Sequence, residues 1–457
     1  MPELSVQQVF PTVGKPTITY VERDNGELER RLKGSLETPG QICLITGPSK
    51  LGKTSLYQRV LPLLKRQAIV IRCSSQLSAR NFWATALERL DFSQVAEQSK
   101  AWGLTTQTDI GIKGEVGWAW LAKLAPSLNF SIQGKTDEEI KRQFATSELS
   151  AAHLIPLLRG MPLQLVVEDF HYLSENTKKE IFQQWKAFVD EGVSVLVVST
   201  NHHSTEIFSS NSDLRGRTRN IDVGHWQSAD LAKIVQTGMD HFRLKNGQAI
   251  RSYIARESMG VPIITQQICQ EFVSGLDLST YSQDVRKNYH PDHVKPSILH
   301  VAKEFYGSFD GDFERLSQGP RAASRKYATY ELILGAFVAE PLKFSLSKSE
   351  LVTRISSLCG AGENVPTASI NSSLNALSKL QKDMGGALIE WQSQKQMLHV
   401  IEPTFLFYLR QKLRDRQLND STQIDLFDKI LQDGDITFIR ERVIRGHAGR
   451  VFRSDNR

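Results

Sequence analysis

The segment GPSKLGKTS, from Gly47 to Ser55, sets two glycines with four residues between them and follows the second with a lysine and two hydroxyls. Gly47 and Gly52 enclose Pro48, Ser49, Lys50 and Leu51; Lys53, Thr54 and Ser55 come next. The spacing is G-x-x-x-x-G-K-[ST]. Glycine at both ends lets the main chain wrap so that successive N–H groups point inward, a shape that holds phosphate oxygens. A helix opening at Lys53 adds unpaired N–H groups and a dipole favouring negative charge. Lys53 can reach β- and γ-phosphates, and Thr54, supported by Ser55, offers a hydroxyl to Mg²⁺. The expected ligand is ATP or GTP with magnesium.

Such a loop needs an acid at the end of a neighbouring strand, and LQLVVEDFH supplies Glu168 and Asp169. Glu168 would hold Mg²⁺ through water, and Asp169 would orient or deprotonate an attacking water. The usual order is aspartate and then an acid; here the first acid is a methylene longer and the second a methylene shorter than its usual occupant, which bears on turnover more than on binding. A further apolar run, SVLVVS, leads into Thr200, Asn201, His202 and His203. Thr200 or Asn201 could bond a γ-phosphate or the attacking water. The adjacent histidines point to different sides, as on a loop surface. Arg215 and Arg217 follow in DLRGRTRN, where an arginine can neutralise γ-phosphate charge or belong to a solvated basic loop.

The elements that must position these groups read as alternating strands and helices. Gln41–Gly47, Ala68–Cys73, Leu163–Val167, Ser194–Ser199 and Arg219–Val223 are read as strands of the kind buried on both faces of a parallel sheet. Helical patterns cover Tyr20–Leu36, Lys53–Arg66, Asn176–Asp190 and Ser228–Thr280. The fold class is therefore α/β with a parallel sheet. Residues 95–145 form a long insertion with alternating polar and apolar stretches, expected to be β-rich; Trp118 and Trp120 within it could pack a small hairpin or form a docking surface. Residues 281–318 resist assignment, and Asp310 and Asp312 in FDGDFE read as a solvated turn, not a metal loop.

Toward the C-terminus, helices are expected over Tyr327–Glu340, from Ser347 with Glu350 completing a capping box, and from Thr367 to Lys382. Ala387–Glu390 and Met397–Ile401 flank WQSQKQ as a hairpin. Three helices and a hairpin suggest a winged helix. Its third helix would present Asn371, Ser372, Asn375, Lys379 and Lys382, and its hairpin Lys395 and His399, to double-stranded DNA or to a protein. Phe405, Phe407 and Tyr408 read as buried helix.

The chain of 457 residues is 40% hydrophobic and 23% charged, a globular composition, with a net charge of +6 that permits an anionic partner. Its four cysteines are far apart, which argues against a disulfide framework or zinc site and for a reducing cytoplasm. No apolar run reaches the ~20 residues that span a bilayer, and MPELSVQQVFPTVGK lacks the charged start and apolar stretch of a secretory leader.

Over residues 19–415 the chain resembles the AAA+ and STAND branches of the P-loop NTPases, the ASCE type. YVERDNGELERRL, from Tyr20 to Leu32, is similar to the adenine-contacting box that precedes the loop in that family, with Glu22 in place of its glycine and Arg23–Asp24 matching its Arg-acid pair. Gly260-Val261-Pro262 resembles the G-x-P signature of the STAND helical lid, and IEPTFLFYLRQKL is similar to the helix closing a winged helix in archaeal STAND-like and initiator ATPases. The resemblance implies ATP/ADP as ligand, contacts from Tyr20, Val21, Arg23 and Pro262, slow hydrolysis, and a homo-oligomer or effector protein as partner. The division it implies is a tail (1–18), a P-loop core (19–226), a lid and linker (227–318), a winged-helix domain (319–416) and a basic tail (417–457). Two functions fit: a nucleotide-controlled switch in signalling or anti-phage defence, or a DNA-binding ATPase of replication initiation, transposition or transcription.

Overall fold

A computed structural model describes residues 4–88, 154–155, 158–159, 162–200, 214, 216–276, 289–319, 329–359, 365–382 and 388–420. The 95–145 insertion with Trp118 and Trp120, the Asn201–His203 run, Arg215 and the end of the basic tail lie outside the described residues. Two compact units divide the chain. One comprises Glu22–Gly47 and Gly52–Val223; the other comprises Met1–Val21, Pro48–Leu51 and Gly224–Arg457.

The first unit is built on five parallel strands: β1 (Ile42–Thr46), β2 (Gln67–Arg72), β3 (Leu163–Glu168), β4 (Val195–Ser199) and β5 (Thr218–Asp222), in the order β2-β3-β4-β1-β5. Every residue of β1, β3 and β4 is buried, the consequence of covering both sheet faces. Alternation puts Ile42, Leu44, Leu165, Val167, Val195 and Val197 on one face, in a single core with Trp83 and Trp185. Cys43 faces the other way, its Sγ 2.8 Å from Ser35 Oγ. Among the described residues the helices of this unit are α1 (Glu27–Glu37), α2 (Lys53–Leu63), α3 (Ala79–Glu88) and α4 (Glu175–Asp190). Ser174 caps α4 by accepting from Thr177 N, and the Trp83 ring on α3 stacks on Phe188 of α4 at 5.4 Å. The α/β class expected from the sequence holds, with β4 lying between the strand of the glycine-rich loop and the strand of the acids, as in an ASCE-type P-loop NTPase core. The first helix starts later than its charge pattern suggests. Asp24 and Asn25 take left-handed backbone angles, φ 47° and 55°, so regular helix begins only at Glu27.

The second unit contains helices α5 (Ser228–His241), α6 (Gln248–Glu257), α7 (Pro262–Ser274), α8 (Pro291–Tyr306), α9 (Phe309–Gln318), α10 (Thr329–Val338), α11 (Lys348–Cys359), α12 (Thr367–Lys382) and α13 (Thr404–Asp420). Residues 4–18 of the segment read as a tail carry structure of their own. A one-turn helix, Val6–Val9, carries a capping box between Ser5 and Gln8, and the next residue, Phe10, is fully buried. The Phe10 ring lies where a side chain at Gly238 of α5 would be, and Gln270 Nε2 donates to Phe10 O at 3.0 Å. Within the unassigned stretch 281–318, the described residues 289–318 yield α8 and α9; Pro296 within α8 and the glycines at 307 and 311 interrupt the apolar period that would have announced them. Asp310 therefore sits, exposed to solvent as expected, in the first turn of a helix and not in a loop. It accepts from Tyr408 Oη at 2.7 Å and pairs with Lys412 at 2.5 Å.

The expected hairpin is present as β7 (Ile389–Gln392) and β8 (Met397–Val400), and a third antiparallel strand, β6 (Ser345–Ser347), pairs with β8. Three residues, SLS, are too few to show a period in sequence. Only half of the predicted capping box forms at α11. Ser347 Oγ accepts from Glu350 N at 3.2 Å, but the Glu350 carboxylate turns to Lys343 at 2.9 Å and Arg354 at 3.0 Å. A charged partner outcompetes a backbone N–H for it. Phe405 and Phe407 are fully buried in α13, as expected.

One acid in this unit has no solvent contact. Glu257, the last residue of α6, accepts from Arg414 through both carboxylate oxygens and from Gln411 Nε2 at 3.1 Å, with Arg410 Nη2 3.6 Å away. Burial alone would push its carboxyl up; Arg410 and then Arg414 outweigh that and hold it down, at about 2. All four cysteines are free and buried, Cys43 and Cys73 in the first unit, Cys269 and Cys359 in the second.

Candidate functional site

Strand β1 delivers the chain to the glycine-rich loop and α2 carries it away. Gly47 has φ 148° and Gly52 has φ 91°, angles open to glycine, and a Cβ on Gly47 would strike the carbonyl of Val223. Gly52 is the N-cap of α2, its carbonyl accepting from Leu56 N at 2.9 Å. Lys53 Nζ folds back over the loop and donates to Gly47 O at 2.8 Å. Thr54, one residue on, donates its hydroxyl to Glu168 Oε1 at 3.0 Å. The spacing in sequence thus brings Gly47, Gly52, Lys53, Thr54 and the acid to one end of the sheet.

Glu168, the last residue of β3, is buried and accepts from two further groups. Tyr57 Oη donates to Oε1 at 3.0 Å, and Arg72 Nε donates to Oε2 at 3.2 Å. Arg72 closes β2 and is the register partner of Glu168. Asp169 follows in left-handed backbone, φ 59°, and starts a tight turn, its carbonyl accepting from Tyr172 N. Its carboxyl is pushed above the usual carboxylate range by the surrounding protein and then by the charge of Glu168, against the pull of Lys53 and Arg72. Ser199, the register partner of Thr46, ends β4 at the same level, and Thr200 follows it. The Ser199 hydroxyl is buried without a hydrogen-bond partner among the described residues.

Arg217 lies elsewhere. It precedes β5, its carbonyl accepts from Ile42 N at the start of β1, and its guanidinium pairs with Asp190 at 3.0 Å. At ~3.3 Å of rise per residue this is roughly 15 Å from the loop end of the sheet. The arginine expectation therefore does not place Arg217 beside its own loop, because the residue opens the strand instead of closing it. Arg23 is buried in the turn before α1.

In the other unit the remaining expected residues have separate settings. Leu51 is buried and its carbonyl accepts from Trp226 Nε1 at 3.0 Å. Lys50 Nζ pairs with Glu402 at 3.3 Å and lies 5.9 Å from the centre of the Tyr306 ring. Val21 joins a cluster with Trp226, Leu231, Ile234 and Ala255. Tyr20 precedes it, half-buried. Pro262 occupies the first turn of α7, behind the N-cap Val261, which follows Met259 and Gly260 with φ 50° and 70°. On α12, Ser372, Asn375 and Lys379 are exposed and Asn371 is half-buried; Lys382 is the last residue of that helix. Lys395 is exposed in the β7–β8 turn. His399 is turned inward: its Nδ1 lies 2.8 Å from Ser345 Oγ, and burial, then Lys395, lowers its pKa, so it stays neutral at pH 7.

Tyr57, Arg72 and Ser199 were not anticipated. Tyr57 sits three residues after Thr54, so the two share a helix face; that spacing was visible, but a tyrosine in an amphipathic helix reads as core. The hard oxygens of Thr54 and Glu168 suit magnesium, and the open glycines suit phosphate.

No protein-family model matches the chain, and no curated protein matches it. Among solved structures it is similar to a Walker-type ATPase of Pyrococcus abyssi, at 14% identity and a TM-score of 0.47 over 86% of this chain and 100% of that one. It is also similar to Cdc6p from Pyrobaculum aerophilum, at 14% identity and a TM-score of 0.37 over 90% and 98% of the two chains. A third is the Holliday junction branch migration motor RuvB of Thermotoga maritima, at 12% identity and a TM-score of 0.38 over 85% and 97%.

Proposed function

We propose that the chain binds ATP and ADP with magnesium at the Gly47–Thr54 loop and acts as a slow, nucleotide-controlled ATPase switch of the STAND kind. The observation that carries this reading is the meeting of Thr54 Oγ1 with Glu168 Oε1, 3.0 Å apart, beside Lys53 at the N-terminus of α2. Lys53 would exchange Gly47 O for phosphate oxygens, and the loop amides would hold the rest of the polyphosphate. Thr54 and Glu168 would hold magnesium, which when bound supplies charge to the phosphate oxygens. Asp169, with its raised pKa, would take the proton of the attacking water, and Thr200 would orient that water. The partner would be a second copy of the chain or an effector protein, in signalling or defence.

Titration of the purified chain with a fluorescent ADP tests the reading. Wild type should bind, and Lys53→Ala should lose affinity by about 100-fold, the worth of a charge-assisted phosphate contact. Equal affinity in both proteins, or none in wild type, refutes it.

A second reading has the second unit's β6–β8 sheet and α10–α12 as a winged helix on double-stranded DNA, supported by exposed Ser372, Asn375, Lys379 and Lys395. Duplex binding measured at two salt concentrations should then fall steeply with salt; no binding at low salt removes it. Among the described residues no helix is long and apolar enough to cross a membrane.

A further inference from the structure

Tyr57 is buried, polar and absorbed by nothing in the reading above. It stands one turn along α2 from Thr54, and its hydroxyl donates to the oxygen of Glu168 that also accepts from Thr54. Arg72 takes the other oxygen from the neighbouring strand. The carboxylate is thus pulled two ways. The helix-side hydroxyls direct Oε1 toward the loop. The guanidinium draws Oε2 toward the sheet edge and brings a positive charge close to where a cation would bind.

We propose that Tyr57 is a positioning residue for magnesium, fixing Glu168 Oε1 beside Thr54, while Arg72 opposes it by competing for the same carboxylate. This rests on the nucleotide reading of the loop. A glutamate in place of the usual aspartate has one more rotatable bond, so it needs an added restraint to present one oxygen reproducibly, and the Tyr57 hydroxyl is that restraint. Without it, the carboxylate can swing so that both oxygens meet Arg72. The Arg72 side chain is 69% exposed, so its opposition is screened and weaker than the buried hydroxyl's support.

The two residues should therefore move magnesium dependence in opposite directions. Binding of a fluorescent ADP to the full chain would be measured in EDTA and across a magnesium titration, for wild type, Tyr57→Phe and Arg72→Ala. Affinity in EDTA should stay at the wild-type value in Tyr57→Phe, because no phosphate contact changes. Its half-saturating magnesium concentration should rise about tenfold, the loss of one hydrogen bond to a charged group. In Arg72→Ala that concentration should fall by roughly two- to threefold. Phenylalanine preserves the ring packing, and circular dichroism checks the fold. If Tyr57→Phe does not fold, Arg72→Ala decides alone: a lower half-saturation supports the assignment and an unchanged one overturns it. Shifts in the same direction, an unmoved magnesium dependence, or a loss in EDTA equal to that in magnesium also overturn it. Wild type that binds no ADP brings down the nucleotide reading and this assignment together.

Discussion

Two buried glutamates face similar demands and are met differently. Glu257 has no solvent contact and is ringed by Arg410, Arg414 and Gln411. Glu168 is ringed by two neutral hydroxyls and one largely exposed arginine. Full compensation by buried cations leaves Glu257 nothing to offer a ligand; it is a clamp between α6 and α13. Partial compensation by hydroxyls leaves Glu168 with unspent charge that a divalent cation can take up. The residue type is the same, and the identity of the donors separates a structural acid from a ligand-ready one.

The most severe way to break this contrast is Glu257→Ala. The cluster would lose its central acid, leaving buried Arg410 with Glu340 at 3.7 Å, and the unfolding transition of the second unit should lose about 3–5 kcal/mol, read by urea denaturation. A loss below about 1 kcal/mol would mean that water reaches the cluster. Acid probes the same clamp. The folded pKa of Glu257 is depressed, to about 2 from 4.5, so its contribution is fully present above pH 4.5 and is lost as pH falls toward 2. The stability gap between wild type and Glu257→Gln should therefore close over that window, and a gap that holds constant would contradict the assignment. The mildest change is Glu168→Ala. It leaves only the Tyr57 hydroxyl buried without a partner, so stability should change by about 1 kcal/mol, while magnesium-dependent ADP binding disappears. A large loss of stability would instead make Glu168 a second clamp.

The sequence disclosed the parts of this molecule that depend on local pattern. Continuous apolar runs marked the buried strands β1, β3 and β4, while β2 and β5, also expected to be buried on both faces, are largely half-buried or exposed; GPSKLGKTS marked the loop, because two glycines, a lysine and a threonine at fixed spacing have few other uses. What stayed hidden depends on chain segments far apart in sequence. Arg72 and Glu168 meet only because β2 and β3 are paired in register across 96 positions. Phe10 is core only because Gly238 leaves room for its ring. Arg217 stands at the opening end of β5, away from its own loop, because sequence does not say at which end of a strand a flanking residue falls. Glu257 gave no signal, since the two arginines that offset its burial, Arg410 and Arg414, lie more than 150 residues downstream.

The thiols carry a practical consequence. Cys43 is pushed up to about 11 and Cys73 to about 12, and burial raises Cys269 as well, so in the native protein these sulfurs are protonated and shielded from alkylating reagents. Each unit holds two buried cysteines, so the order in which they are modified, followed by peptide mass, becomes a clock for which half of the chain opens first.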